Sequence, residues 1–322
     1  MSEILYLSQQ DVAAVGPTPG EVLALVERAF REKAAGRAEM PAKIGVHPKE
    51  DAFLHAMPAF LPALELCGMK WVGVYPENPR RGLPTVSGLL LLNNPETGLP
   101  LAVMDAGWIT AKRTAAASAL AARYLARPDA KTLGILGCGV QARSHVEALV
   151  CLFPIQEVRA YDPDEGARRR FAAEVEAQVR VRVAAVARPK EAVSGCDLVV
   201  TAGPILREPH ATVQPGWLEA GAFASLVDFD ASWDRRALRE VDKFCTDDLA
   251  QLEHYKALGY FRDVPVAYAE LGDLIAGKRP GRGSASERTI ACNLGLALED
   301  VVLAGEVLRR ATEGRIGTRL PL

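Results

Sequence analysis

Lys70 lies in Gly68-Met-Lys-Trp-Val72, with apolar neighbours on both sides. A lysine in a segment that otherwise looks buried costs folding energy unless it is paired or has a task. An edge-strand position is the structural alternative. Arg113, in Ile109-Thr-Ala-Lys-Arg-Thr-Ala-Ala116, begins an Ala-rich stretch that reads as a helix from Thr114 to Arg127. A cation is unfavourable at a helix N-terminus. A bound anion, such as a carboxylate gripped bidentately by the guanidinium, explains it better. Asp230 closes Leu226-Val-Asp-Phe-Asp230 at the end of an expected strand, where parallel sheets collect ligands. From there it could pass a proton to or from a substrate nitrogen. Asp228 and Asp234 are its rivals, and all three could simply cap turns. His55, in Leu54-His-Ala-Met-Pro58, could titrate near neutrality, although a lone histidine in apolar company is more often structural. His145 reads as surface or packing.

A second constellation is Lys131-Thr-Leu-Gly-Ile-Leu-Gly137-Cys-Gly139-Val-Gln-Ala142, a short apolar strand running into two glycines and a helix. It fits GxGxxA, a form of the dinucleotide fingerprint. Gly137 makes the tight turn, Gly139 lets the backbone approach a pyrophosphate, and Ala142 permits close helix–strand packing. The helix from Val140 aims its amides at the phosphates. The next strand, Glu157-Val-Arg-Ala-Tyr-Asp162, ends in a carboxylate about 25 residues past Gly137, near the spacing of about 20 at which an acid binds ribose hydroxyls and favours NAD over NADP. An ordinary Asp-Pro turn is the alternative for Asp162, and Arg168-Arg169-Arg170 leaves NADP open. The residues expected around the cofactor are Thr114, Gly137, Gly139, Val140, Gln141, Ala142, Asp162, Thr201, Ala202 and Asp228.

Positioning these groups requires two kinds of architecture. The helical face Val22, Leu25, Val26, Ala29 and Phe30 is followed by short apolar segments near residues 44–46, 52–56, 69–75, 87–93 and 100–105, punctuated by Pro and Gly. That predicts a mostly antiparallel sheet with a leading helix. From Thr132 to Cys245, buried strands alternate with helices such as 141–152 and 165–179, the signature of a parallel α/β sheet. A last helix, read from Thr289 to Ala311, follows the Gly-rich break at 277–283 and is expected to pack on the N-terminal domain. The expected fold class is α/β: a Rossmann-type parallel sheet domain, residues 114–288, plus a smaller mixed α+β domain, residues 1–113 with 289–322.

Composition narrows the partners. The 322 residues are 49% hydrophobic and 24% charged, with net charge −2, which fits a two-domain globular protein and argues against nucleic acid or an anionic membrane surface. No apolar stretch approaches the roughly 20 residues of a membrane span, and the N-terminus lacks the pattern of a signal peptide. Six scattered cysteines without CxxC pairs or nearby histidines predict free thiols in a reducing cytoplasm, with no metal.

Taken together, several segments closely resemble the ornithine cyclodeaminase/mu-crystallin family, including its archaeal-type alanine dehydrogenase branch. They are Met40-Pro-Ala-Lys43, Ala56-Met-Pro-Ala59, Gly68-Met-Lys-Trp-Val72, Asn78-Pro79, Arg81-Gly-Leu-Pro-Thr-Val86, Glu96 to Asp105, Ile109 to Ala116, Gly137 to Ala142, and Leu294-Gly-Leu-Ala-Leu-Glu-Asp300. The resemblance implies a homodimer paired through the N-terminal domain, an NAD(P)-bound Rossmann domain, and a small amino-acid or imine substrate. It implies that Lys70, Arg113 and Lys43 hold the substrate carboxylate and that Asp230 handles the amine or imine proton. His55 matches neither the glutamate of the cyclodeaminases nor the arginine that can stand there in the alanine dehydrogenase branch. Asp228-Phe-Asp-Ala-Ser-Trp233 departs from the usual Gly-rich segment.

The expected activity is an NAD(P)-dependent oxidoreductase acting on the C–N bond of a small L-amino acid or its cyclic imine, such as an alanine dehydrogenase or ketimine reductase. The alternatives are an ornithine cyclodeaminase-type ammonia lyase with recycled NAD, and a non-catalytic mu-crystallin-like binder.

Overall fold

The computed structural model describes residues 3–322, which divide into two compact units: residues 3–113 with 295–322, and residues 114–294. The first unit opens with β1 (Glu3–Leu7), α1 (Gln9–Val15) and α2 (Pro19–Ala34). Ser8 and Thr18 form capping boxes with Asp11 and Glu21, satisfying the first amides of both helices. Five strands follow: β2 (Ile44–Lys49), β3 (Ala52–Leu61), β4 (Leu66–Val74), β5 (Val86–Asn93) and β6 (Pro100–Asp105). Helix α3 (Gly107–Leu125) crosses the division, its residues through Arg113 belonging to the first unit.

In the second unit come β7 (Thr132–Leu136), α4 (Val140–Val150), β8 (Glu157–Tyr161), α5 (Glu165–Val179), β9 (Arg182–Ala185), β10 (Leu198–Thr201) and β11 (Phe223–Leu226). They are followed by α6 (Arg235–Leu238), β12 (Lys243–Thr246), α7 (Leu249–Ala257), β13 (Ala269–Glu270), α8 (Leu271–Ile275) and β14 (Thr289–Cys292). The chain then returns to the first unit with α9 (Ala297–Gly314) and β15 (Thr318–Pro321).

The first unit is a seven-stranded sheet in the order β15-β1-β6-β5-β4-β3-β2, antiparallel except where β1 runs parallel to β6. Strict alternation along β3, from buried Phe53 and His55 to buried Leu61, assigns one face to the core. Helix α9 packs on β3, β4 and β5 and also against α2.

The second unit is an eight-stranded, wholly parallel sheet in the order β13-β12-β14-β11-β10-β7-β8-β9. From β7 the chain steps outward to β8 and β9, then returns to lay β10 on the other side of β7. That reversal opens a crevice at the C-terminal ends of β7 and β10, the position such sheets use for ligands.

Two expectations need correction. The last helix starts at Ala297, because Thr289–Cys292 is instead a fully buried strand between β11 and β12. Four apolar residues beside a helical pattern carry too little periodicity to be separated from it. The second unit consequently runs to Leu294 rather than 288. Helix α3 begins at Gly107, whose amide is capped by the Asp105 side chain. Arg113 is thus nearly two turns into the helix, and the helix-terminus argument for it does not hold.

Candidate active site

Within the first unit, two expected cations, Lys70 and Arg113, are drawn together by two carboxylates that in the sequence stand out only as part of a motif. Lys70, on the core face of β4, is fully buried, with Nζ 2.7 Å from the Asp300 carboxylate and 3.3 Å from Thr110 Oγ1. Arg113 places Nε 3.0 Å from Asp300 Oδ1 and Nη1 3.1 Å from Glu299 Oε2. Glu299 and Asp300 sit in the first turn of α9, where the helix dipole favours negative charge. Gly295 closes the group. Its φ is +81°, and a Cβ there would lie 2.2 Å from Arg113 Nη1, so only glycine fits against the guanidinium. Its carbonyl accepts from Lys43 Nζ at 3.4 Å. Burial, reinforced by the Arg113 charge, lowers the Lys70 pKa to about 8.

His55 shares the face of Lys70, since His55 pairs with Val72 and Met57 with Lys70 across β3 and β4. That makes it a diagonal neighbour at about 7 Å. The ring is buried and stacks on Phe53 with centroids 4.1 Å apart. Gly45 opposite has no Cβ, which would otherwise stand 2.4 Å from the imidazole.

In the second unit, the expected cofactor residues gather at the C-terminal edge of the sheet. Gly137 has φ +92°, and a Cβ there would meet the Ala202 carbonyl at 2.6 Å. Its turn therefore presses on the end of β10, tied by the Ala202 amide donating to Leu136 O at 2.7 Å. Gly139 is the N-cap of α4, with no side-chain cap and nothing within 4 Å of where a Cβ would be. Val140 is exposed, Ala142 is fully buried against the sheet, and Gln141 Oε1 is buried without a hydrogen-bond partner. Open space over an eleven-residue helix whose first amides have no side-chain cap fits a pyrophosphate. Asp162 is half-buried; Oδ2 accepts from the Cys138 amide at 2.9 Å and Oδ1 from the Asp164 amide at 2.9 Å. It therefore makes the turn and braces the glycine loop at once, and each oxygen retains a lone pair for a ribose hydroxyl. Thr114 is buried on α3, and His145 is packing: its ring bonds Gln141 O and Ser118 Oγ.

Thr201 and Asp228 are both fully buried and bonded to each other at 2.6 Å, with Asp228 also accepting from Ser232 Oγ and the Gly203 amide. Phe229 follows in a left-handed conformation, φ +60°, costly for a bulky residue. The cost is offset by a cluster of Tyr255, Tyr260 and Phe261 around its ring. This turn sends Asp228 into the core and leaves Asp230 beyond it. Burial raises the Asp230 pKa to about 6, with the Asp228 charge adding to the shift. The rival Asp234 caps α6 and pairs with Arg236, which holds it near 2. Among the described residues, no group of three or more His, Cys, Asp or Glu could hold a metal ion, and no helix is long and apolar enough to cross a membrane.

Comparison with known proteins is consistent along the whole chain. The model of the ornithine cyclodeaminase/mu-crystallin family matches residues 5–315. Alanine dehydrogenase of Archaeoglobus fulgidus is 38% identical over 326 residues, spanning 99% of this chain and 98% of its own. Among solved structures, an archaeal alanine dehydrogenase dimer with bound NAD superposes with TM-score 0.88 at 38% identity over the whole of both chains. Thermococcus litoralis Δ1-pyrroline-2-carboxylate reductase, in complex with NADH and L-proline, gives TM-score 0.88 at 32% identity, covering 98% of this chain and 99% of that one.

Proposed function

The chain belongs to the ornithine cyclodeaminase/mu-crystallin family, and from that membership we propose an NAD-dependent oxidoreductase acting on the C–N bond of a small L-amino acid or its imine. The observation that carries this reading is the convergence of Lys70 and Arg113 on Glu299 and Asp300, with Lys43 beside them at the Gly295 carbonyl; cations gathered at one place suit a substrate carboxylate. The bound dinucleotide supplies or takes a hydride at the substrate α-carbon. Asp230 exchanges a proton with the substrate nitrogen, its raised pKa keeping both protonation states accessible near neutrality. Asp228 acts through Asp230: bonded to Thr201, Ser232 and Gly203, it anchors the turn that presents the acid. Gly137 to Ala142 and Asp162 take the pyrophosphate and adenosine ribose, with NAD preferred.

We assign substrate binding and subunit pairing to the first unit and dinucleotide binding to the second. Pairing as a homodimer is supported by the face of the first sheet opposite its core. There Ile44, Ala56, Trp71 and Leu89 align in one row across β2 to β5. Tyr6, Leu101 and Leu320 extend the exposed apolar surface, and a contiguous apolar patch is a common mark of a protein–protein interface. The six free thiols fit a reducing compartment, and we place the protein in the cytoplasm.

The deciding experiment follows NADH absorbance while the protein is offered pyruvate plus ammonia, or five- and six-membered cyclic imines bearing a carboxylate. Oxidation of NADH with at least one substrate is expected. Ammonia release from ornithine with no net NADH change would instead identify a cyclodeaminase, and tight binding of an imine without turnover a binder.

A further inference from the structure

Arg143 lies near the start of α4, four residues after the N-cap Gly139. A cation so close to a helix N-terminus is unfavourable, so specific contacts must hold it there. Side chains on a helix lean towards its N-terminus, and Arg143 reaches back over the glycine turn. Nη1 donates to Cys138 O at 2.7 Å and to Gly139 O at 3.0 Å. The other side of the guanidinium is held by α5. Nε donates to Glu174 Oε2 at 2.8 Å, Nη2 donates to the same oxygen, and Cζ stands 5.4 Å from the centre of the Phe171 ring. Four of the five N–H donors of the guanidinium are thereby used within the protein, so it braces the turn rather than binding a ligand itself.

The consequence follows from peptide geometry. In a planar trans peptide the carbonyl of one residue and the amide of the next point in opposite directions. Holding Cys138 O against the guanidinium therefore turns the Gly139 amide away from it, and holding Gly139 O does the same for the Val140 amide. The Cys138 amide is already taken by Asp162. Resting on the dinucleotide reading, we propose that Arg143 is a positioning residue: by gripping two carbonyls of the glycine turn it keeps the Gly139 and Val140 amides aimed at the pyrophosphate, in the open space over Gly139. Successive amides at a helix N-terminus are a favourable setting for that anion. Glycine restrains its backbone least of all residues, so without the grip the two peptides flanking Gly139 can turn a carbonyl towards the phosphates.

The test measures dissociation constants for wild type, Arg143→Met and Arg143→Lys, with NADH by quenching of protein fluorescence and with ADP-ribose and adenosine by displacement of NADH. NADH and ADP-ribose carry the pyrophosphate; adenosine does not. Arg143→Met should weaken NADH and ADP-ribose equally, each about tenfold, the equivalent of roughly 1.4 kcal/mol, and leave adenosine unchanged. Arg143→Lys keeps the charge but not the planar fork that spans both carbonyls, so it should weaken them as much. Wild-type affinity in Arg143→Lys would mean that charge alone matters and overturn the proposal, as would unchanged NADH affinity in Arg143→Met or an equal weakening of adenosine. Should neither variant fold, Glu174→Ala releases the guanidinium from α5 without touching the turn; it should weaken both pyrophosphate ligands by a smaller factor, and unchanged binding there overturns the proposal as well. Wild-type protein that binds neither NADH nor ADP-ribose defeats the dinucleotide reading itself, a result distinct from all of these.

Discussion

At the scale of single residues, the two perturbed groups set a pH window. Asp230 keeps its proton below about 6 and loses it above; Lys70 keeps its proton below about 8 and loses it above. With the roles proposed above, oxidation of an amino acid would need the Asp230 base and the Lys70 cation, so kcat/KM should form a plateau between those values. Imine reduction needs the acid form and should fall as pH rises through about 6. Asp228→Asn removes the neighbouring charge and should move the Asp230 limb to lower pH; an unmoved limb would assign the titration elsewhere. Asp230→Asn should cost a factor of about 10²–10⁴ in turnover while the NADH dissociation constant stays the same. Lys70→Met leaves the Asp300 carboxylate without its buried lysine and should cost about 3–5 kcal/mol in urea unfolding. The double variant Lys70→Met/Asp300→Leu should regain most of that stability but not kcat/KM, and recovery of both would remove Lys70 from the site.

At the scale of elements, the two glycines of the turn between β7 and α4 do different work. Gly137 is held at positive φ with the Ala202 carbonyl against it, whereas Gly139 faces open space. Gly137→Ala should lower the melting temperature, the left-handed backbone alone costing about 1–2 kcal/mol before the contact with β10 is relieved. Gly139→Ala should melt like wild type but bind NADH about tenfold more weakly, near 1.4 kcal/mol, because the added methyl occupies the approach of the pyrophosphate. Calorimetry together with a binding titration separates the two. Similar behaviour of both variants would contradict the division of labour.

At the scale of the whole molecule, the proposed pairing of two chains rests on the exposed row across β2 to β5. Trp71 and Leu89 pair directly across β4 and β5 and are both substantially exposed. Replacing both by glutamate puts four like charges into a two-fold interface while touching nothing in the core. Sedimentation should then shift from the mass of two chains to that of one. A wild type that already sediments as one chain would refute the assignment.

The sequence by itself determined the features that depend on local pattern. The strand–glycine–helix turn at Gly137 to Ala142, the alternation of strands and helices after Thr132, and the oddity of Lys70 among apolar neighbours all follow from spacing and residue type. The tertiary structure decided what depends on distant partners. Glu299 and Asp300 lie about 190 and 230 residues from Arg113 and Lys70, so nothing local marks them as counter-ions, and the need for glycine at 295 becomes meaningful only with a guanidinium against it. Asp228 and Asp230 are indistinguishable as letters. The left-handed backbone at Phe229, held by an aromatic cluster drawn from the chain around α7, turns Asp228 fully into the core and leaves Asp230 on the far side of the turn, which is why Asp230 is the one proposed as the acid.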